Sequence, residues 1–183
     1  MKLRRLLAVA YSAIMMVGVM SGCGEKQAAI YTITPEGVGP VTFTFDVPQM
    51  KGYTVESVVE EEFDEEYKVL NVTDAEGKVV IRRTEDYLIE VLGEEFKTDT
   101  GIHVGMPVVE AVEKMGGEPE IFNPWPSLEF LFTVDDVIAY VVAGQDLKGG
   151  VAELEEYSLR PFDVTVESFR PDTRITAIKI KKD

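Results

Sequence analysis

The sequence predicts an α+β fold: a single domain built mainly from one antiparallel sheet of six to ten strands, with one firm helix at about 107–115 packed on it and a possible second short helix. Three observations predict it. Short runs of β-type residues recur between turn residues along most of the chain. A single stretch carries strong helical periodicity, with Val108, Ala111, Val112 and Met115 at i, i+3, i+4 and i+7. No composition shift, repeat or low-complexity segment divides residues 29–183.

The expected strands lie at 30–34, 41–45, 53–59, 67–73, 78–83 and 87–92, followed by 128–133, 137–143 and 173–181. Thr42-Phe43-Thr44-Phe45 alternates polar with aromatic, so one side faces a core and the other water. Thr73-Asp74-Ala75-Glu76-Gly77-Lys78 reads as a hairpin, because Gly77 can take the left-handed conformation that a type I turn with a bulge demands. Pro107 suits the first helical position, and Gly116-Gly117 can end the helix before Pro119. A weaker helix is expected at 151–158, where Val151, Leu154 and Tyr157 share a face. Residues 144–150 read as a flexible connection, and the acidic run 60–66, broken only by Phe63, as a solvated strand end or loop.

The first residues belong to a different physical regime. Lys2, Arg4 and Arg5 precede an uncharged apolar run over 6–20, then small Ser21 and Gly22 lead to Cys23. The run is short for a membrane span, which needs about 20 apolar residues, and its flanks are those of a cleaved export signal. Met20-Ser21-Gly22-Cys23 resembles the lipobox of bacterial lipoproteins, with Met20 where that family more often has Leu. The resemblance implies a signal at 1–22, a diacylglycerol thioether on Cys23, and a lipidated tether at 23–28. Each buried acyl CH₂ contributes about 0.8 kcal/mol, so two or three chains hold a protein at a membrane stably. The five residues after Cys23 span under about 18 Å when extended, which keeps the domain close to the bilayer.

Lipidation of the only cysteine excludes a disulfide, a thiolate nucleophile and a cysteine metal site from the mature chain. Removing the signal discards three of 18 basic residues and none of the 33 acidic ones, so the formal charge moves from −15 to −18. Such a surface repels phosphate backbones, which argues against a nucleic-acid partner.

Catalytic chemistry finds little to stand on. His103 is the single histidine, no serine sits in a Gly-x-Ser-x-Gly elbow, and zinc lacks its usual three or four nitrogen or sulfur ligands. With Gly77 as the sixth position of a calcium loop, the twelfth is Arg83 where a bidentate Glu is required. Gly37-Val38-Gly39-Pro40 has neither the phosphate-loop lysine nor the dinucleotide spacing. The expectation is therefore a non-enzyme with no cofactor and no metal. The most distinctive candidate interaction loop is Asn123-Pro124-Trp125-Pro126, in which two prolines stiffen the backbone around the only tryptophan.

Several phrases carry a further resemblance. Ile33-Thr34-Pro35-Glu36-Gly37-Val38-Gly39-Pro40-Val41, Lys51-Gly52-Tyr53-Thr54-Val55, Gly101-Ile102-His103-Val104-Gly105-Met106 and Phe169-Arg170-Pro171 occur in the order seen in the envelope-stress-regulated lipoprotein family of unknown function from diderm bacteria. This chain departs from it by a shorter connection between Pro40 and Gly52. Residues 101–117 also resemble the Gly-Met lead-in to a helix in small outer-membrane lipoproteins, including the small subunit of the β-barrel assembly machinery, and in β-lactamase-inhibitor-like repeats. Neither resemblance implies a catalytic residue. Together they imply a lipid-anchored, non-catalytic envelope protein that binds another envelope component. Gly24 stands where an aspartate retains lipoproteins in the inner membrane, which favours the periplasmic face of the outer membrane in a two-membrane host. Two other readings stay open: a small-ligand or cation-binding module using the acidic residues, and an inhibitor of a secreted hydrolase acting through Trp125.

Overall fold

The computed structural model describes residues 31–44, 46–62, 65–85, 87–124, 128–159 and 163–182. The described chain opens with three short strands, β1 (Thr32–Thr34), β2 (Gly37–Val38) and β3 (Val41–Thr42), and continues into a meander of β4 (Thr54–Glu62), β5 (Glu65–Thr73), β6 (Val79–Thr84) and β7 (Leu88–Val91). Next come β8 (Lys97–Thr98) and helix α1 (Val108–Lys114). A second meander of β9 (Glu120–Phe122), β10 (Glu129–Thr133) and β11 (Ile138–Ala143) leads to helix α2 (Gly150–Leu159) and β12 (Ala177–Lys181).

These strands form two sheets, which corrects the expected fold class. One sheet has eight antiparallel strands in the order β4-β5-β6-β7-β12-β11-β10-β9; the other has four in the order β3-β2-β1-β8, with β1 and β8 parallel. The picture of one helix covering one sheet is therefore wrong. Both helices are short, and the one expected to be firm, with seven residues, is shorter than α2, with ten. β1 and β3 fall within the strands expected at 30–34 and 41–45, but the two-residue β2 and β8 leave no periodic signature and the β1–β8 pairing joins segments distant in sequence, so nothing local announced a second sheet.

One apolar core draws on both sheets. The inward side of the large sheet presents Leu70, Val72, Ile81, Ile89, Val91, Phe130, Phe132, Val142, Ile178 and Ile180, and these meet Ile33, Val38 and Val41 of the small sheet together with Val108 and Ala111 of α1. Strict alternation puts charge on the other side of the large sheet. There Arg82 bonds Glu60 at 2.5 Å, and Lys179 reaches Glu90 at 3.6 Å and Glu129 at 2.8 Å. A smaller apolar cluster of Leu131, Ala139, Val141 and Ala177 lies beside this ladder.

Arg83 breaks the inward apolar pattern. It is 5% exposed, and its Nη1 donates to the carbonyls of Thr42 at 3.0 Å and Asp46 at 3.4 Å, tying the end of β3 and the segment after it to β6. The loop at 101–107 is clasped in the same way by backbone: Gly105 N–H donates to Ile175 O, Ile175 N–H to Met106 O, and Val108 N–H to Thr173 O.

Two local expectations also need correction. The expected strand at 173–181 begins only at Ala177, because residues 173–175 are used in that clasp. The expected flexible connection at 144–150 holds a 3₁₀ turn over Gly144–Asp146, and Leu147 beyond it is fully buried. A β-carbon on Gly144 would lie 2.7 Å from Leu154 Cδ1 and 2.8 Å from Leu128 O, so this glycine serves close packing rather than freedom.

Candidate functional site

The close approach at Gly144 shapes the most apolar cleft among those described. Gly144 N–H donates to Leu128 O at 2.7 Å, drawing the end of the β10–β11 hairpin under α2. Gly150 takes φ +65 at the head of α2, and Glu153 accepts the Gly149 N–H at 2.6 Å. Leu154 then enters the core, while Tyr157 stacks edge-on against Phe130 at 5.1 Å, itself 5.4 Å from Phe169. What stays open between hairpin and helix is a cleft of about 420 Å³ lined by Leu128, Glu129, Ala143, Gln145, Val151, Leu154 and Thr176. Its rim is apolar and wet at once: Leu128 is 73% exposed and Val151 58%.

Of the candidate loop, Asn123 and Pro124 are described, and Asn123 bonds to Glu129, a residue that lines this cleft. Asn123 donates through Nδ2 to Glu129 O at 2.5 Å, which holds the loop against β10, and Pro124 is exposed. Trp125 and Pro126 lie outside the described residues, as do Cys23 and the whole of 1–30. Sequence reading named the loop and did not name the cleft. Its signal was present in α2, whose shared stripe of Val151, Leu154 and Tyr157 buries Leu154 and leaves Val151 in water.

Two other hollows have different chemistry. One, of about 240 Å³, lies between the small sheet and β11 and is lined by Thr34, Thr98, Asp99, Thr100, Asp135 and Tyr140, among others. Burial, then the negative charges of Asp135 and Asp99, push the Tyr140 phenol up to about 12. It can donate a hydrogen bond there but not act as a base near neutrality. The second hollow, of about 630 Å³, is lined by Tyr31, Lys51, Tyr53 and neighbours on the 48–55 segment. Burial, followed by the charge of Glu95 and a hydrogen bond to it at 3.2 Å, raises Tyr53 to about 12 as well.

His103 is half-buried, with Nδ1 directed at Val104 O at 2.7 Å. Among the described residues no three His, Cys, Asp or Glu side chains come together so as to hold a metal ion. The described acids of the run at 60–66 are spread along two strands. Glu60, Glu61 and Glu62 belong to β4 and Glu65 and Glu66 to β5, with Glu61, Glu65 and Glu66 exposed. This opposes the cation-binding reading. No helix among the described residues is long and apolar enough to cross a membrane.

Neither protein-family models nor curated protein sequences give a match to this chain. Among solved structures the chain is similar to the uncharacterized protein YfeY from Escherichia coli, with a TM-score of 0.57 and 15% identity over 82% of this chain and 99% of that one. At that identity the likeness shows a shared fold, which this chain has in common with a protein of uncharacterised function.

Proposed function

We infer that this chain is a lipid-anchored, non-catalytic protein of the cell envelope that binds another envelope protein at the cleft between α2 and the β10–β11 hairpin. The observation that carries the binding reading is the pair Leu128 and Val151, large apolar residues left in water on either side of an apolar hollow. Isolated apolar residues on a surface need no explanation, but paired ones rimming a concave site mark docking surfaces. The anchor rests on the lipobox resemblance at Cys23, and the envelope setting on the ordered phrases shared with the envelope-stress-regulated lipoprotein family, a placement to which the fold shared with YfeY adds no function.

The test is made in cells expressing the full chain. A photo-crosslinking residue in place of Val151 should trap one discrete partner, and the adduct should vanish in a Leu128→Glu background that still folds. Cys23→Ser should move the protein out of the membrane fraction. No adduct at Val151, together with none at Leu128, would overturn the cleft. A Cys23→Ser protein that stays membrane-bound would overturn the anchor.

A further inference from the structure

The large sheet ends in two edges of unequal character. At one end β9 has three residues with Pro119 before it and Pro124 after it, and the outer strands of the small sheet, β3 and β8, have two residues each. Such short edges, the one at β9 flanked by proline on both sides, resist further pairing. At the other end β4 runs for nine residues without a proline or bulge, in unbroken register with β5 from Thr54↔Thr73 to Glu62↔Glu65. Among the described residues nothing pairs with its outer side. Glu56, Ser57 and Glu61 are exposed along it, and Val59 is 61% exposed.

We propose that the outer edge of β4 accepts an extended lysine- or arginine-rich segment of a partner protein as a ninth strand of the large sheet. Backbone hydrogen bonds along a free edge supply affinity in such strand addition, and alternate side chains supply selectivity. Here the period of two is explicit. Glu56, Val58 and Glu60 lie on one side of the sheet, and Val55, Ser57 and Val59 on the other. The matching strand carries basic residues on the first side and β-branched residues on the second. Charge also chooses between occupants. An antiparallel second copy centred on Val58 would set Glu56 directly against Glu60, a like-charge pairing that disfavours self-association. The hairpin already sets one such like-charge pair opposite each other, Glu61↔Glu66. A basic strand relieves it. Nearby cations are few: Arg82 is bonded to Glu60, and Lys68 stands across from Val59.

The probe is a capped nine-residue peptide alternating lysine and valine, titrated against the full-length lipidated protein in neutral detergent at ~0.1 M salt and followed by fluorescence anisotropy. Two derivatives are compared, each N-methylated on one alternate set of amides. Strand addition uses only the amides facing β4, so one derivative should lose roughly tenfold or more in affinity while the other stays within about twofold. Glu56→Lys should weaken the parent peptide by about fivefold or more without lowering the melting temperature, because Glu56 is an exposed edge residue. Equal binding of both derivatives would reduce the interaction to charge alone and overturn the proposal. So would failure of the parent peptide to bind, or an unchanged affinity in Glu56→Lys. The cleft at Leu128 is at the far end of the strand order, and its partner test is independent of these results.

Discussion

Tyr53 and Tyr140 hold their protons well beyond the ordinary phenolic value of 10.0, each raised to about 12 by burial and by neighbouring carboxylates. Below pH 10 both groups are protonated in folded and unfolded chains alike, and their contribution to stability is fully present. Between pH 10 and 12 the unfolded chain ionises first, so stability falls through that window. Urea midpoints measured across this range should therefore decline, and Tyr140→Phe should decline less steeply than the parent. A parallel decline in both would show that Tyr140 titrates normally. Nothing in the residues around Tyr140 announces this. Ala139 and Val141 make it look like any strand aromatic, and the carboxylates that act on it come from the 99 and 135 turns. Arg83 is equally opaque in sequence, since the carbonyls it serves belong to Thr42 and Asp46, far earlier in the chain.

At the scale of the element, legibility follows the range of the interaction. The 73–78 hairpin was readable because all of its chemistry is local. Asp74 Oδ1 accepts the N–H groups of Glu76 at 3.0 Å and Lys78 at 2.8 Å, while Gly77 takes φ +84. A β-carbon at Gly77 meets nothing within 4 Å, so the cost of adding one is purely conformational. Gly77→Ala is expected to cost about 1 kcal/mol, and Asp74→Ala about 1–2 kcal/mol through the two lost acceptor bonds. Thermal unfolding of the two variants checks both figures, and unchanged midpoints would mean that the turn does not limit stability. Helix α1, expected at 107–115 and found at Val108–Lys114, was readable for the same reason, its apolar period being internal to the segment. The two-residue strands β2 and β8 were not. Their partners are chosen by packing over the core, and Gly144, read as freedom, is a contact point for Leu128 and Leu154.

At the scale of the molecule the large sheet consists of two meanders that never pair with each other directly. The first, β4 to β7, and the second, β9 to β11, are joined only through β12, which pairs with β7 on one side and β11 on the other. Ala177, Ile178 and Ile180 are all buried there. Deleting residues 176–183 is thus expected to abolish cooperative unfolding and to leave two open edges prone to association. Sedimentation and hydrogen exchange would reveal it, and a sharp two-state transition in the deletion variant would contradict it. β12 follows every other described strand in the chain. Until residues 177–181 have been made, β7 and β11 are each paired on one side only, by β6 and by β10, so the contacts that join the two meanders form after both. Such an assembly order belongs to slow-folding topologies. The two halves of the large sheet stay separate until β12 is there to join them.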